Sequence, residues 1–281
     1  MSAIPAPRFD HVVIYVEDQL DAAAETYAKL GFQLTERGHH TMGSSNNLAI
    51  FGTDYMELLG YEPANAAKAA GLWQMPVGLG GLVFKPGPDA GFRDALIERG
   101  VPAQPSREFS RPVDVPEGQR DAAFRVTHLD DSIAFNGRVF FCHHFTPELV
   151  WRKEWQDQPN GVTSIAEFVV VSGDPEKSAA PYRRLYGDAA FESLPGGVAL
   201  NAGQGRLLIL KPDAARQHLG DALPALPADG AEKMVGLVLR TSSLAKARAA
   251  LEEGKVPFKA EGNRLLVAAP ETFGLALGFV E

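Results

Sequence analysis

The chain has little cysteine, no long apolar run and no excess of positive charge. A single cysteine, Cys142, among 281 residues excludes an intramolecular disulfide framework and a cysteine-rich zinc site. No apolar stretch approaches the roughly 18 residues that a membrane-spanning helix needs, and runs such as Phe168 to Val171 have the length of a strand. Acidic residues outnumber basic ones by 35 to 27, and the basic residues are scattered along the chain. We therefore expect neither nucleic acid nor a membrane as a partner.

The overall composition is that of a soluble globular protein with a substantial core. Hydrophobic residues make up 45% and charged residues 22% of the chain, close to the average for such proteins. The opening residues lack a basic segment followed by an apolar one, so they predict no secretory signal peptide. We expect a cytoplasmic protein with a small-molecule substrate. The sequence leaves open whether the protein forms a homodimer.

A strand followed by a helix occurs twice with the same internal spacing. Residues 9–34 contain a short apolar strand, a candidate capping aspartate seven residues after His11, and an amphipathic helix that ends at a glycine 13 residues later. Residues 164–187 repeat these intervals. The matched positions are His11 with Glu167, Asp18 with Asp174, and Gly31 with Gly187.

Two fainter copies end their helices at Gly100 and Gly254, and the same count places Gly80 and Met234 at the position of His11. The chain thus predicts four βαβββ-type units. A turn-rich stretch at 158–161 marks the division between two units and the next two. We predict an N-terminal domain over 1–158 and a C-terminal domain over 159–281.

Three segments of the first half resemble the vicinal oxygen chelate superfamily, specifically its glyoxalase-like domain proteins. They read FDHVVIYVEDQLDAAAETYAKLGFQL, HHTMGSSNNLAIFGTDYMELLG and HHFTPELVWRKEWQDQPNG. The resemblance implies an α+β fold of tandem βαβββ units paired into two half-open barrels. It also implies a divalent metal on the inner face of a barrel, with ligands from the first and last strands of paired units.

On that resemblance, His11 on the first strand and Glu57 on the last strand of unit one are candidate metal ligands. Glu57 is the more informative, because a carboxylate inside the apolar strand Tyr55 to Leu59 is costly to bury unless it is paired or bound to a metal. A salt-bridged Glu57 and an ordinary buried histidine at position 11 are the structural alternatives.

The third ligand is expected from His143 or His144, since Gly80 has no side chain to offer. Adjacent strand residues face opposite sides, so one of the two histidines points inward. We favour His144, because the segment from His144 to Glu148 resembles a recurring His-x-Thr-Pro-Glu of related proteins. Two imidazoles and a carboxylate suit Fe(II), Mn(II), Zn(II) or Ni(II), so the expected cofactor is a divalent metal ion.

Other first-half residues are candidates for binding or proton transfer. Glu57 and His40 are the candidate catalytic groups. The candidate substrate-binding residues are Asn46, His143, Trp151 and Arg152. A solvated loop around Asn46 and simple packing of the tryptophans remain the alternatives.

The second half lacks such a set. Glu167 stands at the His11 position, but Leu208, Met234 and Gly278 replace the other candidates, so we read this half as a degenerate copy. The leading hypothesis is a metal-dependent enzyme acting on two neighbouring oxygens, as a glyoxalase-type lyase or isomerase or as a ring-cleaving dioxygenase. The alternative is a metal-free protein that binds or sequesters a small molecule.

Overall fold

The computed structural model describes residues 4–69, 75–87, 91–115 and 118–281, which form two eight-stranded sheets. Part of the second predicted repeat, at 88–90, lies outside the described residues. Among the described helices, none is long and apolar enough to cross a membrane.

The first sheet is built from two strand-and-helix units with the strand order β2-β3-β4-β1-β5-β8-β7-β6. Its elements are β1 Phe9–Glu17, α1 Leu20–Lys29, β2 Gly38–His39, β3 Ser44–Ile50, β4 Tyr55–Tyr61, α2 Ala66–Ala69, β5 Gly78–Phe84, α3 Phe92–Glu98, β6 Arg107–Val115, β7 Gly118–His128 and β8 Arg138–His144.

The second sheet has the equivalent order β10-β11-β12-β9-β13-β16-β15-β14. Its elements are β9 Val162–Val171, α4 Pro175–Tyr186, β10 Phe191–Leu194, β11 Gly197–Ala202, β12 Gly205–Leu210, α5 Pro212–Leu219, β13 Lys233–Thr241, α6 Leu244–Glu253, β14 Lys259–Glu261, β15 Arg264–Val267 and β16 Ala276–Val280.

The pairing of strands follows the predicted repeat. In each unit the first strand pairs in parallel with the last, and the first strands of neighbouring units pair antiparallel, as β1 does with β5 and β9 with β13. The edge strands β2 and β6 also contact each other, so the first sheet curls around its concave face. The predicted fold of paired βαβββ units is confirmed.

Alternation along β1 directs its two faces to different surroundings. Val12, Ile14 and Val16 join the core under α1, whereas His11 and Val13 face the concave side of the sheet. Because both faces of β1 are covered, nearly every residue of the strand is buried. It also fixes which side chains reach the site.

One detail of the predicted repeat is corrected. Asp174 does cap α4, accepting a hydrogen bond from the backbone of Lys177, but α1 begins after Gln19 without a side-chain cap, so Asp18 is not its capping residue. Across the paired first strands, Val83 lies opposite His11 and Val238 opposite Glu167.

A single apolar core runs through both halves. Phe32 of the first half stacks on Phe279 of the second, and Phe135 stacks on Tyr182, with ring centroids 6.3 and 5.0 Å apart. The Tyr27 hydroxyl donates to the backbone oxygen of Thr272 at 3.0 Å. The two sheets are thus packed against each other through their helices and outer faces.

Candidate active site

The concave face of the first sheet encloses a cavity of about 90 Å³. Strands of both units of the first sheet form its walls, which are mostly apolar and aromatic. A few polar side chains also face the cavity. The polar lining residues include His11, His40, Ser44, Asn46, Tyr55, Glu57, Arg111, His128 and Arg138. Such a combination is typical of a small-molecule site.

The His11 imidazole lies between two carboxylates. Its Nδ1 is 2.6 Å from Asp10 Oδ1, and its Nε2 is 3.6 Å from Glu57 Oε2. Asp10 can reach its own neighbour because the register of β1 against β5 shifts between Phe9 and His11, which leaves Asp10 without a partner residue. Which nitrogen of His11 carries the proton depends on the tautomer, so either nitrogen can offer a lone pair to a cation.

His144 meets the same aspartate from the end of β8. Its Nε2 is 2.9 Å from Asp10 Oδ1, while its buried Nδ1 has no hydrogen-bond partner within the part of the chain described. Asp10, His11 and His144 therefore form a group whose ligand atoms all lie within 4.8 Å of one another. Two imidazoles and one carboxylate form a donor set that fits a divalent metal such as Fe(II), Mn(II) or Zn(II).

Asp10 is an ionised carboxylate in the interior of the protein. It is 1% exposed, and burial by itself raises the pKa of a carboxyl group, but the charge of His144 and the hydrogen bonds of His11 and His144 hold the pKa of Asp10 well below its usual range. Lys85 adds an ion pair, with Nζ 3.2 Å from Oδ2. The cluster thus keeps one negative charge available beside two imidazoles.

Glu57 is held by a short chain of hydrogen bonds across the cavity. The Asn46 amide donates to Glu57 Oε1 at 2.6 Å and to His40 Nε2 at 3.3 Å. His40 Nδ1 lies 2.7 Å from the Ser44 hydroxyl, which fits a proton on Nδ1. Burial lowers the pKa of His40 to about 4, against the opposing charge of Glu57. His40 is therefore neutral at pH 7.

The strands of unit two that lie beside the site offer no ligand where they pair with β1. Val83 lies opposite His11 and Gly81 opposite Val13, and Val83 in turn pairs with Phe140 of β8. A Cβ on Gly81 would lie 2.5 Å from the Cβ of Val13, so no larger residue fits there without rearrangement. The candidate third ligand comes from further along β8, at His144.

Three residues predicted to contact substrate lie outside the cavity. His143 points away from it and contacts Phe145 on the outer side of β8. Trp151 packs on His144 with ring centroids 4.7 Å apart, and the Lys85 ammonium lies over its ring. Arg152 pairs with a neighbouring glutamate at the surface. Trp151 thus packs against the candidate metal-binding group through its contacts with His144 and Lys85.

Sequence reasoning missed Asp10, Lys85 and Arg111. The signal for Asp10 was available, since it is a carboxylate in an apolar strand, the same argument that singled out Glu57. Arg111 on β6 is 6% exposed and lines the cavity, yet its segment contains no pattern that indicates a site. The contacts of Asp10 with His144 and Lys85 join residues that lie far apart in the chain.

The second sheet has its concave face filled. Ala215 and Leu219 of α5 pack on Val169 and Leu208, and Leu208 stands where the first sheet has Glu57. Glu167 is hydrogen-bonded by His218 at 2.7 Å and by Arg206 at 2.8 Å. These partners lower the pKa of Glu167 to about 2, although burial opposes them. The second sheet retains a buried carboxylate but has a helix in place of the cavity.

The family assignment follows from comparison with known proteins. The family described as Glyoxalase-like domain matches residues 9–186, which is more than half of the chain. The protein therefore belongs to this family of glyoxalase-like domain proteins. No curated protein matches the sequence.

Solved structures share the fold at low sequence identity. A hypothetical protein from Staphylococcus aureus superposes with a TM-score of 0.67 at 13% identity, over 97% of this chain and 98% of its own. A variant of 4-hydroxymandelate synthase from Streptomyces coelicolor gives a TM-score of 0.61 at 11% identity, over 98% and 92% of the two chains. At these identities the similarity concerns the fold alone.

Proposed function

We propose that the protein is a metal-dependent enzyme that acts on a small molecule with two neighbouring oxygens. Asp10, His11 and His144 hold the ion in this proposal, and His11 also lines the first-half cavity. The observation that carries it is the convergence of one ionised, buried carboxylate and two imidazoles whose ligand atoms all lie within 4.8 Å of one another. A divalent metal there supplies Lewis acidity toward the two substrate oxygens.

The groups of the protein that move protons are then Glu57 and His40. Glu57 faces the cavity beside His11, and its hydrogen bond from Asn46 fixes the direction of the carboxylate. A neutral His40 can accept or return a proton on the far side of Asn46. This arrangement serves either a lyase or isomerase of the glyoxalase kind or a ring-cleaving dioxygenase.

A metal-free binding protein is the second candidate. Lys85 already forms an ion pair with Asp10 at 3.2 Å, so the charge of this carboxylate is balanced without a metal ion. In that case the apolar cavity alone binds the small molecule.

Metal analysis separates the two candidates. Purified protein is dialysed against EDTA and titrated with Mn(II) or Zn(II), and the bound metal is measured by elemental analysis. We expect about one equivalent on the wild type and an affinity at least roughly 10- to 100-fold lower for His11→Ala and Asp10→Asn. Absence of stoichiometric metal on the wild type would favour the metal-free protein.

Two further variants locate the ion. Glu167→Gln is the matched control, because Glu167 is a buried carboxylate bonded to a histidine in the second sheet, and it should retain full metal affinity. Glu57→Gln should bind metal nearly as the wild type does. If Glu57→Gln loses the metal and Asp10→Asn keeps it, the ion lies between His11 and Glu57 instead.

A further inference from the structure

Arg111 is a buried cation whose charge no neighbouring group neutralises directly. Its side chain belongs to the wall of the cavity and is 6% exposed, and no hydrogen bond or ion pair to it exists among the described residues. Glu57 is the cavity carboxylate whose charge reaches it, but the oxygens of Glu57 are engaged by Asn46 and His11. A guanidinium stays protonated even when buried, so burying Arg111 without a partner destabilises the folded protein.

The backbone around Arg111 is arranged to accommodate the guanidinium. Arg111 on β6 lies against Gly38 on β2, at the seam where the edge strands of the first sheet meet. A Cβ on Gly38 would lie 3.2 Å from Arg111 Nη1 and 2.5 Å from Asn46 Oδ1. A glycine at this seam therefore leaves room for both polar side chains.

The surroundings of Arg111 combine positive charge with aromatic surface. Phe109 and Phe124 stack 5.2 Å apart on the same cavity wall. Arg138 brings a second guanidinium into the lining, against the single carboxylate of Glu57 and a neutral His40. Among the described lining residues the guanidiniums therefore outnumber the carboxylates by two to one, and the aromatic wall can contact an apolar body.

We propose that Arg111 binds a carboxylate of the substrate, which makes the substrate a small organic acid with an apolar or aromatic body. Arg presents a planar fork that matches the two oxygens of a carboxylate. The inference rests on the proposed function only in taking the same cavity as the substrate site. It does not require the metal.

The test compares phenylacetate with its neutral amide, 2-phenylacetamide, on EDTA-treated protein by isothermal titration calorimetry. The wild type should bind the acid more tightly than the amide. Arg111→Met should weaken binding of the acid roughly 10- to 150-fold and leave the amide unchanged, and Arg111→Lys should fall between. Arg206→Met, in the second sheet, is the matched control and should bind the acid as the wild type does.

Thermal unfolding provides a readout that needs no ligand. If Arg111 serves ligand binding, it is an unpaired buried charge in the ligand-free protein, so Arg111→Met should raise Tm. Arg206→Met removes a hydrogen bond to Glu167 and should lower Tm. Equal binding of acid and amide by the wild type, or a Tm of Arg111→Met below that of the wild type, would overturn the inference. Loss of metal binding bears on the proposed function alone, because every titration here uses metal-free protein.

Discussion

Single side chains of the cavity have their chemistry set by burial and by one or two partners. Asp10 stays ionised because His11 and His144 donate to it, and His40 stays neutral because its imidazole is enclosed. Burial disfavours the charged form of both side chains. Only for Asp10 do the hydrogen bonds and neighbouring charges outweigh that effect. A charged carboxylate and a neutral imidazole therefore coexist in one chain of contacts, which runs from Asp10 through His11, Glu57 and Asn46 to His40.

His40 gives a pH dependence whose sign is defined. Its pKa is about 4 in the folded protein and near 6.5 when unfolded, so the unfolded state takes up the proton first as pH falls. The wild type should lose up to about 2 kcal/mol of stability between pH 7.5 and 5 through this residue, and His40→Asn should lack that loss. Urea unfolding at the two pH values measures the difference.

Nuclear magnetic resonance provides the direct check on the same residue. The His40 ring signals should remain those of a neutral imidazole down to about pH 5. A midpoint near 6.5 would mean that water reaches the ring freely and would remove the basis for the neutral role of His40.

At the scale of elements, one helix distinguishes the two sheets. Helix α5 follows β12 and lays Ala215 and Leu219 on the concave face, where the first sheet has open space. Glu167 is tied to the same helix through His218. Helix α5 therefore fills the concave face of the second sheet, and apolar residues such as Leu208 accompany that occupation.

Leu219→Ala tests the packing of α5. Leu219 is fully buried, so the substitution should lower the free energy of unfolding by about 2–5 kcal/mol through lost burial and a new cavity. Ile97→Ala on α3 is the control, since Ile97 is 44% exposed and should change stability far less. Chemical denaturation of both variants gives the comparison, and equal losses would argue against a packed helix at this place.

The whole molecule is held together by contacts that cross the predicted division at residue 158. Asn160 donates to the backbone oxygen of Leu30 at 3.0 Å, and Asp54 accepts from the backbone N–H of Ile165 at 3.0 Å. Both side chains are buried, and the apolar core continues from one half to the other. We infer that neither half buries its apolar surface alone.

Unfolding should accordingly be a single transition. All three tryptophans precede residue 160, so their fluorescence reports the first half, whereas far-ultraviolet circular dichroism reports both. The two thermal curves should coincide, and Asn160→Ala should shift both to lower temperature by the same amount. Separate midpoints would show that the halves are independent domains.

The sequence by itself determined the repeat, the unit type and four residues of the cavity, His11, His40, Asn46 and Glu57. Strand and helix patterns are local, and their recurrence at intervals of 7 and 13 residues needed no knowledge of contacts. These four were proposed on the family resemblance, and Glu57 was also conspicuous as a carboxylate inside an apolar strand. The family resemblance carried the expectation of a metal.

Only the tertiary structure decided how the polar groups meet. Asp10 and His144 are 134 residues apart, and their contact depends on an irregularity in β1 and on the register of β8. Arg111 reached the cavity because the edge strands β2 and β6 come together, and α5 closed the second sheet. Register and closure are set by long-range packing, which no local pattern of residues encodes.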